Sequence, residues 1–383
     1  MIENLDYITL QHLWWLLCSV VGSLFLFLTF VQGGQTLLWQ VARTSGEKDL
    51  VINSLGRKWE LTFTTLVLFG GALFASFPKF YSTSFGGAYW VWIAILFAFI
   101  LQAVSYEYRK KPMNILTAWG YEFFLFINGS VGVLLIGAAV GTFFTGSNFE
   151  LSGFNFVTWT TPLRGLEAVL DPSLSSVFNL CLGIFLVFNA RTLGAMYLIN
   201  NIDLTVVPEM EKRLRNACWN NFFISLPFCL WVLVHLMLMK GFGIVDEQGT
   251  IDYVSFKYLH NLLANPWLIG LLVVGLVLLV LGVVRTANTE STAGIWFGGL
   301  GTVLVGLTVL LLPAYNKTAF YPSKVDLQSS LTIYNASSSH YTLTVMTYVA
   351  LVIPFVLAYI AYVWWAMDRG KMKLEDTTDK AAY

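Results

Sequence analysis

The sequence predicts an all-α, polytopic membrane protein, because long apolar stretches separated by short polar loops fill almost the whole chain. Of the 383 residues, 57% are hydrophobic and only 11% are charged, and the mean hydropathy is +0.68. A water-soluble domain carries about 25% charged residues. A helix that crosses a bilayer needs about 20 largely apolar residues, since its backbone polar groups must be satisfied internally.

Nine apolar stretches are long enough to be read as transmembrane helices. They are apolar on all sides, which is not typical of the surface helices of a soluble protein. No hydrophilic segment is long enough to form a separate soluble domain. The predicted transmembrane helices cover residues 13–31, 61–77, 89–104, 123–144, 176–198, 222–239, 267–284, 295–312 and 348–367.

The basic residues are distributed unevenly between alternate loops, although the net charge is zero. With the N-terminus placed outside, the outer loops carry six basic residues and the inner loops carry fifteen, while Arg191 lies inside a predicted helix. The positive-inside rule therefore predicts an N-terminus outside and a C-terminus inside. The inner set is Arg43, Lys48, Arg57, Lys58, Arg109, Lys110, Lys111, Lys212, Arg213, Arg215, Arg285, Arg369, Lys371, Lys373 and Lys380.

Several local patterns predict smaller features. The acidic segment 1–6 and the length of the first apolar stretch favour a first transmembrane helix over a cleavable signal peptide. Segment 146–171 is predicted to contain a short interfacial helix after Pro162. Segment 313–341, which lacks glycine, is predicted to be an ordered outer connection. Small residues at 70–72, 137–141 and 298–301 predict close helix contacts. Tryptophans near the predicted helix ends are typical of an interfacial belt.

The four cysteines, Cys18, Cys181, Cys218 and Cys229, are predicted to be buried thiols. They lie in or beside apolar stretches and show no CxxC pairing, so neither disulfides nor a metal site is expected. No nucleotide-binding loop or zinc signature is present, and the glycine-rich strings lie inside predicted helices.

Ionisable residues inside membrane helices are costly and are candidate functional residues. Glu60 opens the second predicted helix, where a desolvated carboxylate can take part in proton movement. The alternative is a helix N-terminal acid paired with Lys58. Glu122 opens the fourth predicted helix and has the same two interpretations.

Arg191 and His235 lie well inside the fifth and sixth predicted helices. Arg191 is predicted to extend toward the inner face or to pair with a carbonyl or carboxylate, with Asn189, Asn200 and Asn201 as neighbours in sequence. His235 is interpreted either as a haem ligand or, more simply, as a partner in a helix–helix hydrogen bond.

Several strings resemble subunit II of the cytochrome bd family of quinol oxidases. The resemblance covers nearly the full chain in layout and is strongest at the two ends. The strings are INSLG at 52–56 followed by Trp59-Glu60, GGALFASFP at 70–78, YEYR at 106–109, YPS at 321–323, SLTIYNASS at 330–338 and TLTVMT at 342–347.

The resemblance implies the architecture and the assembly. The fold would be two four-helix bundles, in residues 1–145 and 146–313, followed by an outer loop, a peripheral ninth helix and a cytoplasmic tail in residues 314–383. The chain would bind no cofactor itself. Its partner in a heterodimer would be a homologous subunit I that holds haems b and d, oxidises quinol and reduces oxygen to water. A small single-helix subunit, membrane lipids and a structural quinone are further expected partners, and no nucleic acid is expected.

The chain departs from the family pattern at a proposed proton route. An acid-Gly-Phe-Asp string common in the family reads Gln32-Gly-Gly-Gln35 here, a His-Trp-Asp string reads Lys58-Trp59-Glu60, and a common arginine corresponds to Gln102. Glutamine cannot titrate, but Gln32 and Gln35 can order water by hydrogen bonding. The candidate proton path therefore comprises Glu60, Lys58, Gln32, Gln35 and Gln102.

The sequence therefore predicts a haem-free subunit of a quinol:oxygen oxidoreductase in the bacterial cytoplasmic (inner) membrane, with no catalytic centre of its own. One alternative is a secondary transporter built from two repeated bundles, which would have helices broken at matching places. Pro227 and Pro354 both interrupt predicted helices, but not at corresponding positions. A second alternative is an electron-transfer protein with haem bound by His235.

Overall fold

The computed structural model describes residues 5–153 and 156–378, and within these ranges the chain is mostly helical. Lys380, one of the fifteen inner basic residues, lies outside the described residues. So do residues 1–4 of the predicted segment 1–145 and residues 379–383 of the predicted segment 314–383. Eight helices of the described ranges are long and apolar enough to cross a membrane. They are α1 (Tyr7–Thr36), α2 (Ser45–Ser76), α3 (Tyr89–Tyr108), α4 (Thr117–Thr145), α5 (Leu174–Asn201), α6 (Pro208–Leu238), α7 (Pro266–Asn288) and α8 (Gly294–Leu311).

The ninth predicted helix, α9, is bent. It consists of His340–Ala350 and Ile353–Met367, whose axes differ by 41°. Pro354 is the second residue of the latter helix, and its ring would clash with the carbonyl of Ala350 in a continuous helix. The prediction of nine membrane helices is thus met if this bent pair is one span. Pro227, by contrast, lies inside α6 without ending it.

The helices extend beyond the apolar stretches that predicted them. Helix α1 begins at Tyr7 and continues through Gln32 and Gln35 to Thr36, and these polar residues are buried. Helix α2 begins with a capping box, in which the Thr44 side chain and the Glu47 carboxylate each accept a hydrogen bond from the other residue's backbone N–H. A helix can therefore continue through polar residues that have buried partners, although the run of apolar residues used to predict it has already ended.

Helices α1 and α5 form the centre of the molecule. Helix α1 packs against α2, α4, α5, α8 and α9, and α5 packs against α1, α4, α6, α7 and α8. At their crossing, a Cβ on Gly33 would lie 2.0 Å from the carbonyl carbon and oxygen of Ala190. A Cβ on Gly194 would lie 2.3 Å from the backbone nitrogen of Gly34. The two backbones therefore touch, as at small-residue crossings in membranes.

The small-residue patches have different outcomes. Gly137 faces Gly183 of α5, and Gly298 and Gly301 face α7 or its neighbours, so these predictions of close contact are confirmed. Gly71 of α2 is different, because a Cβ on it would have no atom within 4 Å. This part of α2 faces outward.

One end of the helices, here called the hairpin end, carries two antiparallel hairpins that depart from the predicted all-α class. Strands β1 (Phe149–Leu151) and β2 (Val157–Trp159) pair, as do β3 (Gly241–Ile244) and β4 (Ile251–Val254). The predicted interfacial helix of segment 146–171 is shorter than expected, because only Glu167–Leu170 is helical among the described residues of this segment. Segment 313–341 is ordered, as predicted: Phe320, Tyr321 and Leu331 are buried. Backbone bridges join it to Ser147 and Gly243.

The opposite end, here called the basic end, carries the loops that are rich in arginine and lysine. It includes the short helix Leu38–Val41 and the tail after α9. The tail is fixed to α5, because the Met372 backbone N–H donates to the Asn201 carbonyl at 2.8 Å.

The remaining short helices and turns are Pro78–Tyr81, Ser82–Gly86, Leu204–Val206, Lys257–Ala264, Leu327–Ser329, Ile333–Ala336 and Glu375–Thr378. All four cysteines are free thiols; Cys18 and Cys218 are buried, as predicted, whereas Cys181 and Cys229 are only partly buried.

Candidate functional site

A polar cluster lies buried among α1, α3 and α4, and we call it the amide core. It consists of Gln32 and Gln35 of α1, Gln102 and Tyr106 of α3, and Asn128 of α4, each at most 4% exposed. Gln32 Nε2 donates to Gln102 Oε1 at 3.3 Å, and Gln35 Nε2 donates to Tyr106 Oη at 2.9 Å. The structure thus brings together the three glutamines of the candidate path in two hydrogen-bonded pairs.

A π-helical turn places Asn128 in this cluster. The turn spans Asn128–Gly132 and packs against both α1 and α3. A Cβ on Gly129 would lie 2.1 Å from the backbone oxygen of Gln32, so α4 approaches α1 there at backbone distance. Such π turns are uncommon inside helices and are frequent at functional sites.

Several polar atoms of the amide core have no protein partner among the described residues. They are Gln32 Oε1, Gln35 Oε1, Gln102 Nε2 and both amide atoms of Asn128. Buried polar atoms are nearly always hydrogen-bonded to protein or to ordered water. A neutral cluster of this kind suits hydrogen bonding to water, and it carries no titratable carboxylate.

An ion-pair network lies toward the basic end of the same helices. Glu122 accepts from Arg109 Nη2 at 3.0 Å and from Lys48 Nζ at 2.7 Å, and Arg109 Nη1 contacts Asp49 at 2.7 Å. The side chains of Glu122 and Arg109 are only 2% and 4% exposed. The helix-start interpretation of Glu122 is wrong, because the helix begins at Thr117, more than one turn earlier. Glu122 instead joins α4 to α2 and α3.

Lys58 belongs to a second buried pair at the basic end. Its Nζ lies 2.9 Å from Asp368 Oδ1, which also accepts from Asn201 Nδ2 at 3.0 Å. Ser54 Oγ donates to Asn201 Oδ1 at 2.7 Å. The predicted pairing of Lys58 with Glu60 is therefore wrong, since Lys58 instead fixes the end of α9 to α2 and α5.

Glu60 lies apart from the amide core. It is in the first turn of Trp59–Ser76, and its side chain is exposed on the outer side of α2. Within the described ranges, no hydrogen bond or ion pair includes its carboxylate; its backbone oxygen accepts from Thr64 Oγ1 at 2.8 Å. The structure thus separates the carboxylate of the candidate path from the glutamines.

Arg191 donates hydrogen bonds to residues that the sequence did not indicate. It donates to Asn221 Oδ1 at 2.6 Å, to Thr36 Oγ1 at 2.8 Å and to Gln40 Oε1 at 2.8 Å. It also donates to the Thr36 carbonyl at 3.3 Å, which confirms the predicted carbonyl partner. The neighbouring amides have other partners: Thr302 for Asn189, Thr292 for Asn200 and Asp368 for Asn201.

His235 packs between aromatic rings. Its imidazole stacks on Trp231 with ring centroids 4.9 Å apart and lies 5.5 Å from the ring of Phe178. No hydrogen bond of the described residues involves the imidazole, so the helix–helix hydrogen bond predicted for it is wrong.

A haem held by His235 would need an open space beside the ring nitrogens of the imidazole, through which iron binds. Two apolar clefts, lined by Phe25, Phe69 and Phe143 or by Leu182, Phe185 and Val309, contain no histidine. Within the described residues, no group of three or more His, Cys, Asp or Glu side chains could hold a metal ion.

The sequence reasoning missed Asn128, Tyr106 and Asp368. Asn128 did carry a signal, because an amide within the apolar stretch 123–144 is costly in lipid and marks a candidate site. Asp368 follows directly after the last predicted helix and resembles an ordinary helix-end residue. Its partner Lys58 is 310 residues away, so only the fold could reveal the pair.

Comparisons with known proteins agree with this architecture. The family model for cytochrome bd terminal oxidase subunit II matches residues 10–367. The chain is 28% identical to cytochrome bd-I ubiquinol oxidase subunit 2 of Escherichia coli (strain K12), with 97% of each chain covered. It is 22% identical to cytochrome bd ubiquinol oxidase subunit 2 of Bacillus subtilis (strain 168), with 91% of this chain and 93% of the relative covered.

The fold is also similar to a solved structure, the bd oxidase from Geobacillus thermodenitrificans. The TM-score is 0.61 at 13% identity, with 94% of this chain and 98% of the other covered. The likeness supports the helical fold. Because the family model spans nearly the whole of this multi-pass membrane protein, the chain belongs to the family of cytochrome bd terminal oxidase subunit II.

Proposed function

We propose that this chain is the haem-free partner of the haem-bearing subunit I in a quinol:oxygen oxidoreductase of the bacterial inner membrane. Its role is to stabilise that subunit, which holds haems b and d, through a large contact within the membrane. The observation that carries the proposal is the outward side of α2. There, Glu60, Thr64 and Gly71 are exposed at helical spacing along one face, which we call the partner face.

Polar and small residues on an exposed membrane helix favour a protein contact. Lipid tails cannot satisfy a carboxylate or hydroxyl, and small residues let a second helix approach closely. Helix α9 lies beside α2 and leaves Phe355, Tyr359 and Tyr362 exposed, so it extends the same outer region. The same side of α2 also exposes Val67 and Leu68, as lipid-facing helices such as α7 expose valine and leucine, so its polar and small residues are what distinguish it.

Enlarging Gly71 tests this proposal. G71F should fold, because a Cβ at this position meets no atom within 4 Å and Gly71 is exposed, but the ring should hold the partner helix away. We expect about tenfold weaker association, since an overpacked contact costs on the order of 1–3 kcal/mol. Co-purification with the haem-bearing subunit measures it. G270F is the matched control, because a Cβ on Gly270 of α7 also meets no atom within 4 Å. Equal co-purification of both variants would remove the partner face from the proposal.

We also propose that Glu60 passes cytoplasmic protons toward the partner, with the amide core and Lys58 as a polar, water-ordering surround. The support is the position of Glu60 at the basic end and on the partner face. E60Q should lower oxygen turnover by the intact oxidase, with a loss that changes across the pH range. E107Q is the control, because Glu107 is exposed at the same end and pairs only with Lys111. If the oxidase that carries E60Q kept the oxygen turnover of the wild type at every pH, the proposed proton role of Glu60 would be wrong.

The orientation and the division of the fold are part of the same proposal. The basic end supports a cytoplasmic C-terminus and an outer N-terminus. Helices α1–α4 and α5–α8 form the two bundles of segments 1–145 and 146–313, and α9 is the peripheral helix of segment 314–383. The two apolar clefts are suited to a structural quinone or lipid chain. A small single-helix subunit remains a prediction from the family.

The transporter alternative is less well supported. It requires discontinuous helices at matching positions in two repeats. Pro354 marks the bend of α9, whereas α6 continues through Pro227. The two prolines therefore do not mark a matched pair of broken helices.

A further inference from the structure

Arg191 carries a charge that no carboxylate neutralises. Its hydrogen-bond acceptors, on Asn221, Thr36 and Gln40, are all neutral. None of the ion pairs among residues 5–153 and 156–378 includes it. The C-terminal end of α1, which supplies the Thr36 carbonyl, contributes about half a negative charge. A net positive charge therefore remains at this site.

The guanidinium also keeps a free donor on its open side. A guanidinium has five N–H groups, and four hydrogen bonds occupy Nε, both N–H groups of Nη1 and one of Nη2. The second Nη2 hydrogen has no acceptor among the described residues. The Nη2 contact to Gln40 is the solvent-accessible one of the four. The free donor therefore belongs to the solvent-accessible end of the guanidinium, beside Gln40.

This opening lies at the level where lipid headgroups meet the protein. Trp39 precedes Gln40 at the basic end, and Trp219 lies on α6 two residues before Asn221. Tryptophans mark the membrane–water interface. Arg191 itself lies about 15 Å from the end of α5, but its side chain reaches Thr36, the last residue of α1, and Asn221, which directly precedes the predicted apolar stretch 222–239. The guanidinium therefore lies near the basic ends of α1 and of the apolar part of α6.

The surrounding helices favour a lipid over the partner subunit as the source of an anion. Arg191 is enclosed by α1, the Leu38–Val41 helix and α6, whereas the partner face lies on Trp59–Ser76 beside α9. Arginine presents a planar donor fork that matches phosphate oxygens, and basic pockets between membrane helices on the cytoplasmic side bind anionic lipid headgroups.

We propose that Arg191 is a binding site for the phosphodiester of an anionic phospholipid. The free Nη2 donor binds a phosphate oxygen, Gln40 flanks it with its amide, and the acyl chains lie along α6. The site stands apart from the partner face, and its test measures lipid binding and not subunit association or oxygen turnover, so it is independent of the tests of the proposed function.

The test uses the full oxidase purified from membranes with its subunits. Wild type, R191Q, R191K and Q40E are delipidated in detergent and then incubated with phosphatidylglycerol, phosphatidylcholine or inorganic phosphate. Native mass spectrometry counts the bound lipid, and thermal unfolding reports stabilisation. The Q40E variant keeps Arg191 and places a carboxylate beside its open side, so it removes the net charge without removing the buried hydrogen bonds. R285Q is the control, because Arg285 is exposed at the basic end and packs on Phe297.

We expect R191Q and Q40E to bind phosphatidylglycerol about fivefold more weakly, as follows from about 1 kcal/mol per basic residue at a lipid surface. R191K should retain part of the affinity, and R285Q should match wild type. Phosphatidylcholine and inorganic phosphate should stabilise none of the proteins. Unchanged phosphatidylglycerol binding in both R191Q and Q40E overturns the site. Equal stabilisation by inorganic phosphate assigns a free anion instead of a lipid. Loss of a subunit from R191Q with lipid binding intact assigns a partner carboxylate.

Discussion

Replacing Gly33 with alanine is expected to prevent stable folding of this chain. The new Cβ would lie 2.0 Å from the carbonyl carbon and oxygen of Ala190 and 2.4 Å from the backbone nitrogen of Arg191. These are backbone atoms of α5, so no side-chain rotation can relieve the contact. Helices α1 and α5 must separate at the centre of the molecule, and we expect a cost of at least about 3 kcal/mol.

The yield of folded protein and its thermal unfolding midpoint in detergent measure this effect. G71A is the matched control, because it adds the same methyl group in a membrane helix where no atom lies within 4 Å. It should leave the midpoint close to wild type. If G33A accumulated and unfolded like G71A, the backbone contact between α1 and α5 would be wrong.

The second large effect is expected for Glu122. E122Q keeps the size of the side chain but removes the charge that neutralises Arg109 and Lys48. Because Arg109 is only 4% exposed, it would remain as a poorly compensated buried cation with Asp49 as its one acid. Breaking a buried pair by removing one partner costs about 3–5 kcal/mol.

The unfolding midpoint of E122Q should therefore fall well below that of wild type. E209Q is the control, because Glu209 pairs with Lys212 in an exposed pair, which is worth at most about 1 kcal/mol. Removing the excess charge as well, in E122Q/R109Q, should restore part of the stability. Equal midpoints for E122Q and E209Q would show that the network does not hold α4 to α2 and α3.

The sequence predicts the membrane helices well because the bilayer imposes a simple rule on them. A helix in lipid must be apolar for about 20 residues. Each such stretch lies within an observed helix or ends one residue past it, except 348–367, which includes the bend of α9. The helix ends were harder to predict. Helix α1 continues through Gln32 and Gln35, whose buried partners on α3 are some 70 residues away.

The polar sites were predicted only in part, because their partners come from other helices. The neighbours in sequence suggested Asn189, Asn200 and Asn201 for Arg191, yet Asn221 and Gln40 provide its contacts. The acids and amides of single helices can be recognised from their cost in lipid. Which of them pair depends on where the helices cross. The crossing of α1 and α5 is determined by close backbone contact at Gly33 and Gly194, which composition alone does not predict.

The most direct measurement is native mass spectrometry of the purified oxidase with release of its subunits in the gas phase. If this chain is the haem-free support of a haem-bearing subunit, it should leave the assembly at the mass of its polypeptide, 42.9 kDa, and every haem should stay with the partner. Release of this chain with a haem bound, or an active oxidase that lacks it, would contradict the proposal.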